Sequence, residues 1–460
     1  MRAIANPARR RLLALAAGGA LYSPMARLLA AAGALEAPIS AKGYGPLREA
    51  IDENTGLALL KLPEGFRYRS FAWAGEKTLD GATIPGAADG MGVVAAKDGI
   101  LTLIRNQEVV RLDGAYGKTH YDPAASGGTM TLRFDGEQGR FLDARASLSG
   151  TLQNCAGGTT PWGSWITCEE FVGGTQIAST VSSKKVMLEH AHGFAFEVPA
   201  EGVASAEPLV AMGQFKHEAA TVHLASGHVF ETEDAYTEAG FYRFIPDVPG
   251  QLHKGGRLQM LKVEGTTELR RGLKQGRKFS VSWVDIEKPE AGVDLTDGEP
   301  RGVQRQGFAQ GAAKFTRLEG CIARGDEIFF TSTDGGDAAC GQLFLYNVAK
   351  QELELLFESP GKEVLDYPDN IITSPRGGLV ICEDSSQPVQ RLYGMTAGGE
   401  LFEFCRNNVR LDGEHGQRGD FRGAEWAGAC FSPDGKWLFA NCYTPGFTVA
   451  ITGPWRDGLI

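Results

Sequence analysis

The sequence predicts an all-β fold, a six-bladed β-propeller with long inter-blade insertions. Three observations predict it. Glycine supplies 61 of 460 residues with no collagen-like period, which marks turns between many short strands. Hydrophobic residues make up 43% and charged residues 22%, the balance of a globular body with a sizeable core. One pattern also recurs along the chain: a polar entry residue, a short apolar strand, a Gly-containing turn, a second apolar strand and a polar exit.

Residues 1–37 stand apart. "NPARRRLLALAAGGALYSPMARLLAAAGALEAP" has a basic head, an Ala/Leu-rich run and small residues near its end, the anatomy of a signal peptide. Arg9-Arg10-Arg11-Leu12-Leu13 fits a degenerate twin-arginine signal, so the expected location is periplasmic or secreted and the twin-arginine export machinery is an expected partner. Gly18, Gly19, Pro24 and Arg27 interrupt the run, which argues against a stable membrane span. From residue 44 to 460 a single propeller domain is expected. Its early strand "FRYRSFAW" (Phe66–Trp73) has no hairpin of its own and is positioned to complete the last blade and close the ring.

The repeating units follow in order. "DGMGVVAAKDGILTLIRNQE" begins at Asp89, "NCAGGTTPWGSWITCEE" at Asn154 and "HEAATVHLASGHVFETED" at His217. "LEGCIARGDEIFFTSTDGG" begins at Leu318, "PDNIITSPRGGLVICEDSS" at Pro368 and "AEWAGACFSPDGKWLFANCY" at Ala424. A third strand follows most of them, as in "TMTLRFD", "GFAFEVP", "GFYRFIP" and "GQLFLYNV". The segment Gln251–Gln310, rich in Lys, Gly and Asp, is expected to form surface excursions.

A hairpin brings its second strand back to the level where the first began, so entry and exit residues about fifteen positions apart lie side by side. The pairs are Glu218 with Glu233, Glu319 with Asp334, Asp369 with Glu383, and Asn154 with Glu169. In a propeller these positions converge on one mouth of the central channel, and they are largely acidic. Unpaired buried carboxylates cost several kcal/mol each. Arg105 and Arg317 are the evident basic residues nearby, so bound cations are the simpler compensation. The net charge of −10, with no basic stripe, argues against nucleic acid as a partner. None of the eight cysteines forms C-x-x-C, and the chain has no H-E-x-x-H, no G-x-S-x-G and no P-loop.

The stretches "NCAGGTTPWGSWITCEE", "FKHEAATV", "FETEDAYTEAGFYRFIP", "FTRLEG", "YPDNI" and "EWAGACFSPDGKWLFANCYTPGFTVAITGPW" occur in an order that resembles the PhoX-type alkaline phosphatases, from about Tyr44 to Trp455. The resemblance implies an exported enzyme with Ca2+ and Fe3+ in a mixed site. Cys155 matches the family's iron-ligating cysteine, and Glu170, Glu218 and Glu319 match acidic ligands. Arg317 matches a phosphate-binding arginine. Asn106 and Glu108 lie in "RNQE", where the family reads R-N-H-E, so Gln107 replaces a histidine. Asp369, Glu383 and Glu425 join the metal candidates chiefly through the repeat.

A thiolate suits iron and hard oxygens suit calcium. The implied reaction is hydrolysis of a small phosphate ester, with attack at phosphorus by a metal-bound oxygen while Arg317 and Asn106 bind phosphoryl oxygens. Two alternatives remain: a calcium-dependent lactonase or phosphotriesterase on the same fold, and a non-catalytic exported binding propeller.

Overall fold

The computed structural model describes residues 43–173, 187–293 and 298–460. The leader assigned to residues 1–37 lies outside them. Among these residues the chain is nearly all strand, with one short α-helix, Gly302–Ala309.

Six antiparallel hairpins carry the fold. They are Ala88–Lys97 with Ile100–Gln107, Asn154–Thr159 with Ser164–Glu169, and His217–Val222 with Val229–Glu233. The others are Leu318–Arg324 with Glu327–Ser332, Pro368–Thr373 with Leu379–Glu383, and Trp426–Phe431 with Leu438–Cys442. Local chemistry makes the turns. In the first hairpin Asp98 (φ 52°) and Gly99 (φ 77°) are both left-handed, the two-residue turn whose twist matches that of the flanking strands. The first strand of each hairpin packs against the first strand of the next, and that of the sixth packs against that of the first. The inner strands therefore form a closed, propeller-like ring.

Outer strands extend each hairpin. The first continues into Gly127–Asp135 and Arg140–Thr151, and the second into Ala195–Pro199. Arg67–Phe71 pairs with Phe447–Thr452, so a strand from the start of the described chain completes the sixth sheet. Leu60–Pro63 joins the fifth sheet in the same way, through Leu401–Asn407.

The segment expected to make surface excursions does something else. Gly256–Val263 pairs with Phe241–Pro246, and Lys278–Asp285 then pairs with Glu352–Glu358, which fuses the third and fourth sheets into one of nine strands. The reason lies in "LQMLKV": Leu258, Met260, Leu261 and Val263 are buried. The Lys and Gly content of the surrounding segment masked this strand.

The core fills the wedges between neighbouring sheets. Leu103, Met130 and Phe134 of the first sheet meet Phe71, Trp437 and Phe439 of the sixth. The Phe134 and Phe439 rings meet edge to face at 5.1 Å, and each such fully buried side chain stabilises the fold by about 1.5–3 kcal/mol.

One irregularity repeats around the ring. In every inner strand the ladder register breaks near its start, between Ala88 and Met91, Asn154 and Gly157, His217 and Ala220, Leu318 and Cys321, Pro368 and Ile371, and Ala427 and Cys430. A bulge re-aims the side chains it contains.

Candidate metal centre

Three positions in each hairpin converge because of that bulge. The entry strand's first residue pairs with the exit strand's last: Ala88 with Gln107, Asn154 with Glu169, His217 with Glu233, Leu318 with Ser332, Pro368 with Glu383, and Trp426 with Cys442. The residue after each exit strand donates its backbone N–H to the carbonyl of the residue before the entry strand. These bonds run from Glu108 to Ala87 (2.9 Å), Glu170 to Gln153 (2.9 Å), Asp234 to Lys216 (3.1 Å), Thr333 to Arg317 (2.8 Å), Asp384 to Tyr367 (3.0 Å) and Tyr443 to Glu425 (3.2 Å).

The second residue of the entry strand, inside the bulge, completes the set: Asp89, Cys155, Glu218, Glu319, Asp369 and, in the sixth hairpin, Ala427. Four of the residues before the entry strands, Ala87, Gln153, Arg317 and Tyr367, hold positive φ (40–54°). Side-chain residues rarely sit there, and such strain recurs where structure serves function.

The acids meet in three overlapping groups, Asp89–Glu108–Cys155, Cys155–Glu170–Glu218 and Glu218–Glu319–Asp369, each with ligand atoms within 4.8 Å of one another. Cys155 and Glu218 are shared between groups, so the three form one continuous cluster. Glu425 and Asp384 lie beside it and beside each other.

Alternation along the strand separates the two glutamates that end "SWITCEE". Glu169 turns into its own sheet, where it accepts backbone N–H groups from Leu152 (2.8 Å), Gly193 (2.8 Å) and Phe194 (3.2 Å) and meets His192 Nδ1 at 2.6 Å. Glu170 joins the cluster. There it accepts from Gln153 Nε2 (2.6 Å) and faces Lys216 Nζ at 3.6 Å.

Of the residues singled out from sequence, Cys155, Glu170, Glu218, Glu319, Glu108 and Asp369 fall in the three groups. Two of the expected residues are engaged elsewhere. Glu383 is the last strand residue, not the one after it. It forms an ion pair with Arg391 (2.8 and 2.6 Å) and accepts the Asp366 N–H (3.1 Å), while Asp384 faces the cluster.

Asn106 is fully buried with every polar hydrogen-bonding group engaged. Its Nδ2 donates to the Cys155 and Ala156 carbonyls (3.0 and 2.7 Å), and its Oδ1 accepts from Trp165 Nε1 and Thr167 Oγ1 (both 2.9 Å). It has no donor left for a phosphoryl oxygen, and what it does is fix the backbone that carries Cys155.

Gln107, at the family's histidine position, is likewise a last strand residue, and its Nε2 donates to the Asn106 carbonyl (2.8 Å). Arg105 of the first sheet is buried against the sixth, on Ala72 O (3.0 Å) and Thr448 Oγ1 (2.8 Å). Asp89, Asp234, Asp384 and Tyr443 escaped the sequence reading. Moving the exit position one residue on, from Glu233 to Asp234 and from Glu383 to Asp384, would have found two of them.

Arg317 lies between Asp234 and the cluster acid Glu319. Its Nε meets Asp234 Oδ1 at 3.1 Å and its Nη2 meets Glu319 Oε1 at 2.5 Å. The outer face of the guanidinium rests on the Tyr236 ring, 5.0 Å from its centroid.

The electrostatics are severe. Burial first, and neighbouring acids second, push the carboxyls of Asp89, Glu170 and Glu218 well above the usual carboxylate range. Burial likewise raises Glu319 and Asp369, whose shifts neighbouring acids increase and the Arg317 guanidinium partly offsets. The same causes raise the Cys155 thiol, with Asp89, Glu218, Glu108 and Glu170 all adding to burial. Asp89 beside Glu108, Glu170 beside Asp234, and Glu425 beside Asp384 are each raised further by the neighbouring carboxyl. Like charges held this close oppose ionisation, and a bound cation would relieve that opposition.

The donor set fits metal. Both Glu218 oxygens and Asp369 Oδ1 are buried with no hydrogen-bond partner, and native proteins rarely leave such atoms unsatisfied. Hard oxygens with one thiol suit a mixture of hard and softer cations.

The family model "Alkaline phosphatase PhoX" matches residues 142–446. No curated protein matches the chain. Among solved structures, a candidate gluconolactonase is 11% identical with TM-score 0.42, over 89% of this chain and 99% of that one. Regucalcin from Agrobacterium tumefaciens, a calcium-binding protein, is 10% identical with TM-score 0.35, over 80% and 97%. Both scores are too low to bear on fold or activity.

Proposed function

The chain belongs to the PhoX alkaline phosphatase family, and from that membership we propose that it hydrolyses phosphate monoesters on the axis of a six-bladed β-propeller, using calcium and iron. The single observation that carries this reading is the overlap of three ligand groups through Cys155 and Glu218. One thiol within a continuous run of carboxylates suits iron beside calcium better than calcium alone. Asp89, Glu108, Cys155, Glu170, Glu218, Glu319 and Asp369 would hold the metals, with Asp384 and Glu425 adjoining. Cations bound there would neutralise phosphoryl oxygens and the departing alkoxide, the main requirement of a very slow uncatalysed hydrolysis.

The chain's own residues position the ester. Asp234 and Glu319 hold the Arg317 Nε and Nη2, which fixes the plane of the guanidinium and leaves Nη1 to donate to a phosphoryl oxygen. Lys216, on the other side of Asp234 and Glu170, supplies a second positive charge at the mouth. Asn106 acts one step back, as a positioning residue for Cys155. Export of the chain by the twin-arginine route, directed by residues 1–37, belongs to the same proposal. No described helix is long and apolar enough to cross a membrane.

Elemental analysis paired with p-nitrophenyl phosphate hydrolysis tests this reading. Wild-type protein should contain both iron and calcium and turn over. Cys155→Ala should lose iron and turnover together. Turnover that survives complete removal of metal would overturn it.

A further inference from the structure

Next to Arg317 lies a cleft of about 480 Å³ lined by Tyr236, Thr237, Glu268, Arg270, Arg271, Thr316 and Asp334. Tyr236 is 64% exposed, unusual for a large aromatic side chain two residues beyond Asp234, the partner of Arg317. The ring is nevertheless placed, since the Arg317 guanidinium rests on it at 5.0 Å. Its surroundings are ordered as well. Arg270 is held by Glu268 and the Thr237 carbonyl, and Thr316 Oγ1 donates to Asp334 at 2.7 Å. The cleft thus joins an aromatic face, guanidinium planes and hydrogen-bonding groups, one guanidinium away from the candidate centre.

We propose that this cleft binds the leaving group, and that it favours phosphate monoesters whose alcohol carries a flat aromatic ring with polar edges, a nucleoside 5′-monophosphate being the simplest. The proposal rests on the phosphatase reading for its reaction but not for its binding step. With the phosphoryl group at Arg317, the ester oxygen points along the Arg317–Tyr236 contact, and the alcohol enters the cleft. A nucleobase stacks there on Tyr236, and its edge meets Arg271 or Asp334. An aliphatic alcohol such as glycerol gains none of this.

The experiment compares kcat/KM for adenosine 5′-monophosphate and glycerol 3-phosphate in wild type, Tyr236→Ser and Tyr236→Phe, and measures adenosine binding by calorimetry in the same proteins. Base–aromatic stacking predicts that the nucleotide-to-glycerol ratio falls about ten-fold in Tyr236→Ser and stays within about two-fold in Tyr236→Phe, with adenosine binding lost only in the serine variant. An equal fall for both esters would mean that Tyr236 merely supports Arg317, and would overturn the proposal, as would wild-type protein that does not bind adenosine. Wild-type protein that hydrolyses neither ester but binds adenosine through Tyr236 would instead remove the phosphatase reading and leave the cleft assignment standing.

Discussion

Glu218 is fully buried, and neither of its carboxylate oxygens has a hydrogen-bond partner. Without a cation the side chain must keep its proton, because burial and the charges of Glu319, Asp369 and Glu170 all disfavour ionisation. Glutamine has the shape of that protonated form. Glu218→Gln should therefore leave the chelated protein at least as stable as wild type, by thermal melting, while lowering bound metal and cutting kcat/KM by at least about 100-fold. A variant that melts far below wild type in chelator would show Glu218 to be a structural group. Single residues of this kind were legible where chemistry is unusual, as at Cys155, or where an acid opens a strand, as at Glu218 and Glu319. Adjacent acids were not separable from sequence alone. Glu383 and Asp384 differ only in which one follows the last ladder pair, and Arg391 claims the first.

At the scale of the strand, the bulge decides which residue faces the axis, and it leaves no composition signal beyond the Gly or Ala that follows five of the six positions. Gly320 shows why that residue is small. A Cβ there would lie 2.6 Å from the Ile371 N and 2.7 Å from the Asp369 O of the neighbouring inner strand. The backbone that presents Glu319 is thus pressed against the backbone that presents Asp369. Gly320→Ala should push the two strands apart, costing about 1–3 kcal/mol by denaturant unfolding and reducing bound calcium. Gly398→Ala is the matched comparison. Its Cβ would meet nothing nearer than the Thr396 Oγ1 at 3.5 Å, so its effect should stay within about 0.5 kcal/mol. Equal effects from the two variants would count against a tight ring. The hairpins themselves were readable from their polar–strand–turn–strand–polar rhythm. The fusion of the third and fourth sheets was not, because it depends on which edges meet in space: Lys278–Asp285 pairs with a strand, Glu352–Glu358, far along the chain.

Over the whole molecule, every hairpin brings at least one polar or acidic side chain to the same axis, so charge at the centre acts on the entire ring. The raised carboxyls of Asp89, Glu170, Glu218, Glu319, Asp369 and Glu425 fix the sign of its pH dependence when metal is removed. Each keeps its proton in the folded chain at a pH where the unfolded chain has lost it. Folding then takes up protons, so stability is greatest below the ordinary carboxylate range and declines as pH climbs toward the raised values. Bound cations remove the decline, since the carboxylates are then ionised and paired. Chelated protein should therefore melt at progressively lower temperature as pH rises above the ordinary carboxylate range, and the gap to calcium-restored protein should widen with that rise.

His192 also loses a proton as pH rises. Burial acts to lower His192, but Glu169 and Asp122 outweigh it and raise the imidazole to about 9, so its stabilisation also fades as pH rises through that value. His192 sits within its own sheet, against Glu169 and Asp122. Its contribution is common to both forms and cancels in the difference between them. A gap that stays constant with pH would show that the central acids do not repel one another in the folded protein, and that cations do not hold the ring together.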